Sequence, residues 1–204
     1  MNKDMKIEFS CDDGQIQDLK VAEILEEFGF KGTFYIPNYG GLDKEQIRTL
    51  SEKHEIGGHT VYHPQDLKTF DDENLRYEIE WNKQWLEELI GRKITKFCYP
   101  RGRYDDRVVE AVKKAGYEYA RTTLVLSTDL PEDPFRVKTT IHAYPHRTEY
   151  AGKDWVELAK KKFFEAKTYG GYFHLWCHGI ELEKMSQFAK YKELIQFINK
   201  NYGK

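Results

Sequence analysis

The strongest constraint on this chain is an alternation. Short runs rich in β-branched and aromatic residues are each followed by a stretch of helical periodicity, and polar or charged residues gather where the runs end. Residues 6–10 alternate, with Ile7 and Phe9 on one face. From Gln17 to Phe28, the residues Leu19, Ala22, Leu25 and Phe28 fall on one helical stripe, and Gly29 follows as a stop. Gly32 to Ile36 is a predicted strand closed by Pro37. Asp43 with Gln46 forms a capping-box pattern for a helix through Lys53, and Glu55 to His59 is a short strand. The pattern then predicts a long helix from about Asp72 to Ile90, a strand at Lys96 to Tyr99 and a helix at Asp105 to Ala115. Strands at Tyr117 to Thr122 and Val137 to Ala143, a helix at Asp154 to Ala166 opened by an Asp cap, a strand at Gly171 to Cys177 and a helix at Gln187 to Lys200 complete the series. Such alternation builds a mostly parallel sheet, open or closed into a barrel.

No repeat, low-complexity segment or linker interrupts this order, and 204 residues fit one domain, expected to span 1–204. Charged residues make up 32% of the chain, yet the net charge is −2 and Lys and Arg are dispersed, which argues against a nucleic-acid partner. A neutral sugar or a small amide fits this balance. No apolar run approaches the roughly 20 residues that cross a bilayer, and Met1 to Met5 has no apolar leader core. The expectation is therefore a cytoplasmic protein with no membrane partner. Three cysteines, Cys11, Cys98 and Cys177, lie far apart without a CxxC pair, so neither a disulfide framework nor a zinc knuckle is expected. Each sits beside a motif; small buried residues are the expected reading over a thiol cluster. Oligomeric state is not legible.

Four strand ends carry the chemistry. Cys11-Asp12-Asp13-Gly14 follows the first strand; adjacent carboxylates repel unless a cation or a proton-transfer task uses them. Gly58-His59-Thr60-Val61-Tyr62-His63-Pro64 follows the third, and two imidazoles four residues apart can reach one ion if they share a helical turn. Two histidines and one carboxylate form a catalytic zinc set that leaves a place for water. Phe97-Cys98-Tyr99-Pro100-Arg101-Gly102 ends a middle strand in a rigid loop whose backbone N–H groups can enter a site. In the last strand His174, Trp176 and His178 share one face, Leu175 and Cys177 the other, and Gly179 follows. His142 ends another strand, from which it can reach the mouth of the site, although a packed or exposed histidine is the expected reading; His54, His146 and His174 are expected to be structural.

The Asp-Asp pair, HTVYHP, YPRG and the terminal-strand histidine, in that order, resemble the polysaccharide deacetylase family, also called the NodB-homology domain or carbohydrate esterase family four. The segment EEFGFKGTFYIP resembles the family's passage from helix to second strand. The resemblance implies an α/β fold, a distorted (β/α) barrel of about seven parallel strands, with the site at the strands' C-terminal ends. It implies a hydrolase removing an N-acetyl or O-acetyl group from a carbohydrate. It further implies that Asp13, His59 and His63 hold a divalent metal, zinc first and Co, Ni, Mn or Fe next. Asp12 would be the general base, His178 the general acid, and the Arg101 backbone N–H an oxyanion donor; no organic cofactor is implied. Three departures stand out. Ser10-Cys11 precedes the Asp pair where Thr-Phe is common, and Cys98 stands where many members carry an arginine that tunes the catalytic aspartate. Arg101 stands where members often carry an aromatic; the family's fourth motif is not placed by the sequence, Asp133 to Lys138 being the candidate segment. Two rivals follow: a metal-dependent amidohydrolase acting on a small non-sugar N-acyl compound, and a carbohydrate-binding barrel without chemistry.

Overall fold

The computed structural model describes residues 5–202. Seven parallel strands form one sheet: β1 (Lys6–Asp12), β2 (Thr33–Ile36), β3 (Glu55–Gly58), β4 (Lys96–Cys98), β5 (Tyr119–Arg121), β6 (Ile141–His142) and β7 (Tyr172–Cys177), in the order β5-β4-β3-β2-β1-β7-β6. The sheet curls until its edges are joined by one stretch of chain. Thr122 N donates to Val137 O (2.8 Å) and Val137 N to Ala120 O (3.1 Å) on the β5 side, and three residues later Thr140 N donates to His174 O (3.0 Å) on the β7 side. The strand expected at Val137 to Ala143 is thus split between two partners, and only Ile141–His142 keeps strand geometry. The outcome is the distorted α/β barrel that the strand-end motifs foreshadow.

Helices cover the outer face: α1 (Asp18–Glu27), α2 (Lys44–Lys53), α3 (Asp72–Arg76), α4 (Asn82–Ile90), α5 (Asp106–Lys114), α6 (Trp155–Tyr169), α7 (Gly179–Lys184) and α8 (Phe188–Tyr202). The capping box at Asp43 and Gln46 forms, and Asp154 accepts from Val156 N and Glu157 N to open α6. The helix expected over 72–90 is interrupted. Between α3 and α4, Tyr77–Trp81 forms a π turn, a local underwinding common at functional sites. α7, directly after β7, has no counterpart in the sequence reading; at six residues it is too short for periodicity to show.

Strand alternation separates two cores. Phe9, Cys11, Phe173, Leu175 and Cys177 face outward and are buried against the helices with Val21, Leu25, Phe163, Leu194 and Ile195. The inward set is polar. At the N-terminal end Glu8 receives Lys96 Nζ (2.8 Å), Tyr119 OH (3.2 Å) and Tyr172 OH. One layer higher, His174 pairs with Tyr172 OH (2.9 Å) and Ser10 Oγ (2.8 Å), so it is structural, as expected. Above them lies Arg121, fully buried, with its guanidinium carbon 5.1 Å from the Tyr35 ring centroid and 4.6 Å from that of Trp176.

Burial opposes the charge on Glu8, but His174, Lys96 and the Tyr172 hydroxyl outweigh it and hold the carboxyl down to about 2, from an ordinary 4.5. A carboxyl lowered by folding stabilises the fold above its unfolded pKa, and that contribution disappears as pH falls through the folded value. Glu8→Gln should therefore lower stability by about 1–3 kcal/mol at neutral pH. Denaturant titrations from pH 7 to pH 2 should show the gap between the two proteins closing below about pH 4.5, where the window opens.

Candidate metal and proton-transfer centre

Every residue singled out for chemistry lies at the C-terminal rim of the barrel. Asp12 is the last residue of β1 and Asp13 leaves it, with its backbone N–H on Tyr35 O (3.1 Å) and φ at 81°. Its carboxylate faces the two histidines. Asp13 Oδ1 is 3.3 Å from His59 Nε2 and 3.4 Å from His63 Nε2, and this buried oxygen makes no hydrogen bond. In a tetrahedral zinc site, ligand atoms about 2.0–2.2 Å from the ion stand about 3.3–3.6 Å apart. The three groups thus fit a shared cation. Asp13's carboxyl lies well below the usual range, because His59, His178 and His63 outweigh its burial. Burial and the charge of His59 lower His63 to about 4.

The two histidines do not share a helical turn, contrary to the spacing argument. Thr60 (φ 69°) and His63 (φ 50°) both take left-handed backbone, and the segment is a loop. What holds it is a set of buried hydrogen bonds. His59 Nδ1–H donates to Cys98 O (2.8 Å), which leaves Nε2 facing Asp13, and His59 N donates to Asn82 Oδ1 (2.9 Å). The buried Glu78 of the π turn accepts from Val61 N (2.9 Å) and Tyr62 N (3.0 Å). Gly58 leaves no room for a side chain, since a Cβ there would sit 2.0 Å from Tyr117 OH.

Asp12 points into the barrel and pairs with Arg121, while its other oxygen receives Cys98 Sγ at 3.6 Å. Burial works against its charge, but Arg121, His59 and His178 keep its carboxyl below the ordinary value. Cys98 and Arg121 are register partners on β4 and β5. The guanidinium missing at position 98 is therefore supplied from the next strand. Arg121 carried a signal in the sequence, a charge two residues after Tyr119 on the buried face of a predicted strand, yet it was not singled out.

On the opposite wall, His178 Nε2 is 3.7 Å from Asp13 Oδ2, and its Nδ1–H donates to Glu181 Oε2 (2.8 Å). Glu181 Oε2 also lies 2.9 Å from His142 Nε2, and His142 stacks on Trp176 at 3.7 Å. His142 is thus buried and packed, and it also meets the carboxylate that pairs with His178. Burial disfavours a charged His178, but Glu181, Asp12 and Asp13 push it up to about 9; Glu181 itself falls to about 2 despite burial, through His142 and His178. The sequence reading missed Glu181, whose spacing of three from His178 on a helix was the available signal. Asp133, in the candidate segment for the fourth motif, instead pairs with Arg136 and caps Phe135 N. Arg101 (φ 57°) and Gly102 (φ 66°) shape the loop after β4, and Arg101 is exposed, its charge felt at His63. All three cysteines are free and buried as expected; Cys11 and Cys177 stand 3.6 Å apart on the outer face, away from the centre.

The parallel barrel thus carries an Asp-His-His cluster with a flanking carboxylate and imidazole at its C-terminal rim. Residues 2–120 match the sequence model of the polysaccharide deacetylase family, and the chain belongs to that family. It is 27% identical over 121 residues to the peptidoglycan-N-acetylglucosamine deacetylase of Bacillus cereus, covering 57% of this chain and 56% of that protein. A Mycobacterium smegmatis structure bearing the same family name superposes with a TM-score of 0.75 at 19% identity, over 98% of this chain and 85% of that one. A Bacillus anthracis structure described as a pseudoenzyme of carbohydrate esterase family four gives 0.68 at 14% identity, over 100% and 63%. The chain spans less than two thirds of the curated relatives it matches, 42% in the case of YxkH of Bacillus subtilis. Since the fold is common to an enzyme family and a pseudoenzyme, the residues at the rim must decide activity.

Removing Arg121 leaves a buried unpaired carboxylate. Arg121→Met should cost about 3–5 kcal/mol in urea unfolding, and Arg121→Met with Asp12→Leu should recover most of it. Glu181→Gln should keep the fold by circular dichroism and lower turnover about 10–100-fold, the usual worth of a group that orients an active imidazole.

Proposed function

We propose that this protein is a metal-dependent hydrolase that removes an acetyl group from an N-acetylated carbohydrate. The observation carrying this reading is the buried Asp13 Oδ1, without a hydrogen bond, held at tetrahedral-edge distances from two imidazole nitrogens, with Asp12 and His178 on either side. Asp13, His59 and His63 would hold a divalent cation, zinc by donor type, which supplies polarisation of the acetyl carbonyl and acidification of water.

Around that centre the chain's own groups divide the proton work. Asp12, fixed by Arg121, takes a proton from the attacking water, whose oxygen bonds to the carbonyl carbon. The Arg101 backbone N–H is placed in the loop that would face the developing oxyanion. His178 delivers a proton to the leaving nitrogen as the C–N bond breaks, giving the free amine and acetate. Glu181 on Nδ1 keeps the proton-bearing Nε2 directed at the centre. The intact base, acid and ligand set supports catalysis over a binding-only barrel.

Elemental analysis should find about one divalent ion per chain, and chelation should abolish acetate release from N-acetylated sugars, with zinc restoring it. Asp13→Ala should lose the ion. Asp12→Asn and His178→Ala should retain it and lose about 10²–10⁴-fold in turnover. Full turnover in both would refute the role assignment, and faster turnover of small non-sugar amides would move the substrate class.

A further inference from the structure

Four aromatic rings form an exposed staircase that begins between the two proposed histidine ligands. Tyr39 and Tyr62 stack with centroids 5.1 Å apart and planes 4° from parallel; Tyr62 and Tyr77 follow at 6.5 Å and 28°, Tyr77 and Trp81 at 5.9 Å and 17°. These separations are those of offset stacking, so each ring leaves part of a face uncovered. The rings are 71%, 59%, 43% and 52% exposed in that order, an amount of contiguous aromatic surface that the fold itself does not require.

The staircase is built, not incidental. Glu78 lies between Tyr77 and Trp81 in the π turn, is buried, and clamps the backbone of Tyr62. Four residues on, Asn82 donates to Ile36 O (3.0 Å) and Asn38 Oδ1 (2.8 Å), beside Tyr39, and accepts from His59 N (2.9 Å). One segment thus fixes the rings and a metal ligand together. At the far end Tyr77 and Trp81 line a cleft of about 230 Å³ with Glu73, Arg76, Glu80 and Gln84. An aromatic floor with a rim of hydrogen-bonding side chains suits a ligand whose ring faces are C–H and whose edges are hydroxyl.

We infer that the Tyr39–Tyr62–Tyr77–Trp81 staircase is a subsite for a glycan chain, carrying the sugars beyond the unit whose acetyl group enters the metal centre. This rests on the deacetylase reading and assigns to it the side chains that hold sugars beyond the reacting unit. A glycan is favoured over a protein partner because Tyr62 lies between His59 and His63 in the chain, and three of the four rings end in a hydroxyl.

The test uses the zinc-loaded full chain, with N-acetylglucosamine oligomers and acetylated xylo-oligosaccharides of two to six units as probes. Acetate release should show kcat/KM rising about tenfold or more with length in at least one series. Tyr77→Ala with Trp81→Ala should abolish the rise and leave the value for the shortest member unchanged. Turnover of short members with no rise, or a rise equal in the variant, overturns the subsite and spares the deacetylase reading. If no probe is turned over, that reading fails for these sugars. The subsite is then judged by the Trp81 contribution to fluorescence, taken as the difference from Trp81→Ala; failure of the six-unit probes to change it overturns the subsite. Concentration-dependent self-association in sedimentation that is lost in the double variant would assign the rings to a second copy of the chain and likewise overturn it.

Discussion

The arrangement depends most on an ion pair in the middle of a barrel. Arg121 and Asp12 are both buried, between the rings of Tyr35 and Trp176, where either charge alone would be costly. A pair in such a place is weak evidence for stability, since apolar residues could fill the volume. It does settle direction: Asp12 is turned inward and Asp13, next in the chain, outward to the histidines. Adjacent carboxylates that would otherwise repel are assigned separate counter-charges, a guanidinium for one and imidazoles for the other.

The polar column beneath the pair explains why the inward faces of the strands do not look like a core in the sequence. Glu8, Ser10, Tyr172 and His174 satisfy one another, so the interior is closed by hydrogen bonds where the outer layer is closed by Phe, Leu and Val. The outer layer does the work of attaching helices. The inner layer fixes the strands' relative height, on which the geometry of the rim depends.

Much of this was legible in the chain, and the parts that were not share a cause. Strand and helix order followed from period and caps, and the three proposed ligands from residue type at strand ends. The failures came where a side chain's partner lies on an element distant in the sequence. Cys98 looked like a loss because its replacement, Arg121, is distant in sequence and adjacent only in register. His142 is packed, but its contact with Glu181 was hidden because Glu181 sits on a short helix the periodicity could not show. The HxxxH spacing led to a pair that does meet Asp13, but not through a helical turn: a loop with two left-handed residues, pinned by Glu78 and Asn82, brings the two rings together.

The position of β1 has one more consequence. It lies between β2 and β7, so it is the seam where the two halves of the chain meet. The three proposed cation ligands all occur by residue 63, whereas Arg121, His142, His178 and Glu181 come from the second half. The proposed base, Asp12, lies with the proposed ligands in the first half, whereas the proposed acid and its Glu181 partner come from the second, and β1 brings the two sets into register. On the proposed reading, a substitution at His178 or Glu181 removes the acid and leaves the three candidate ligands in place.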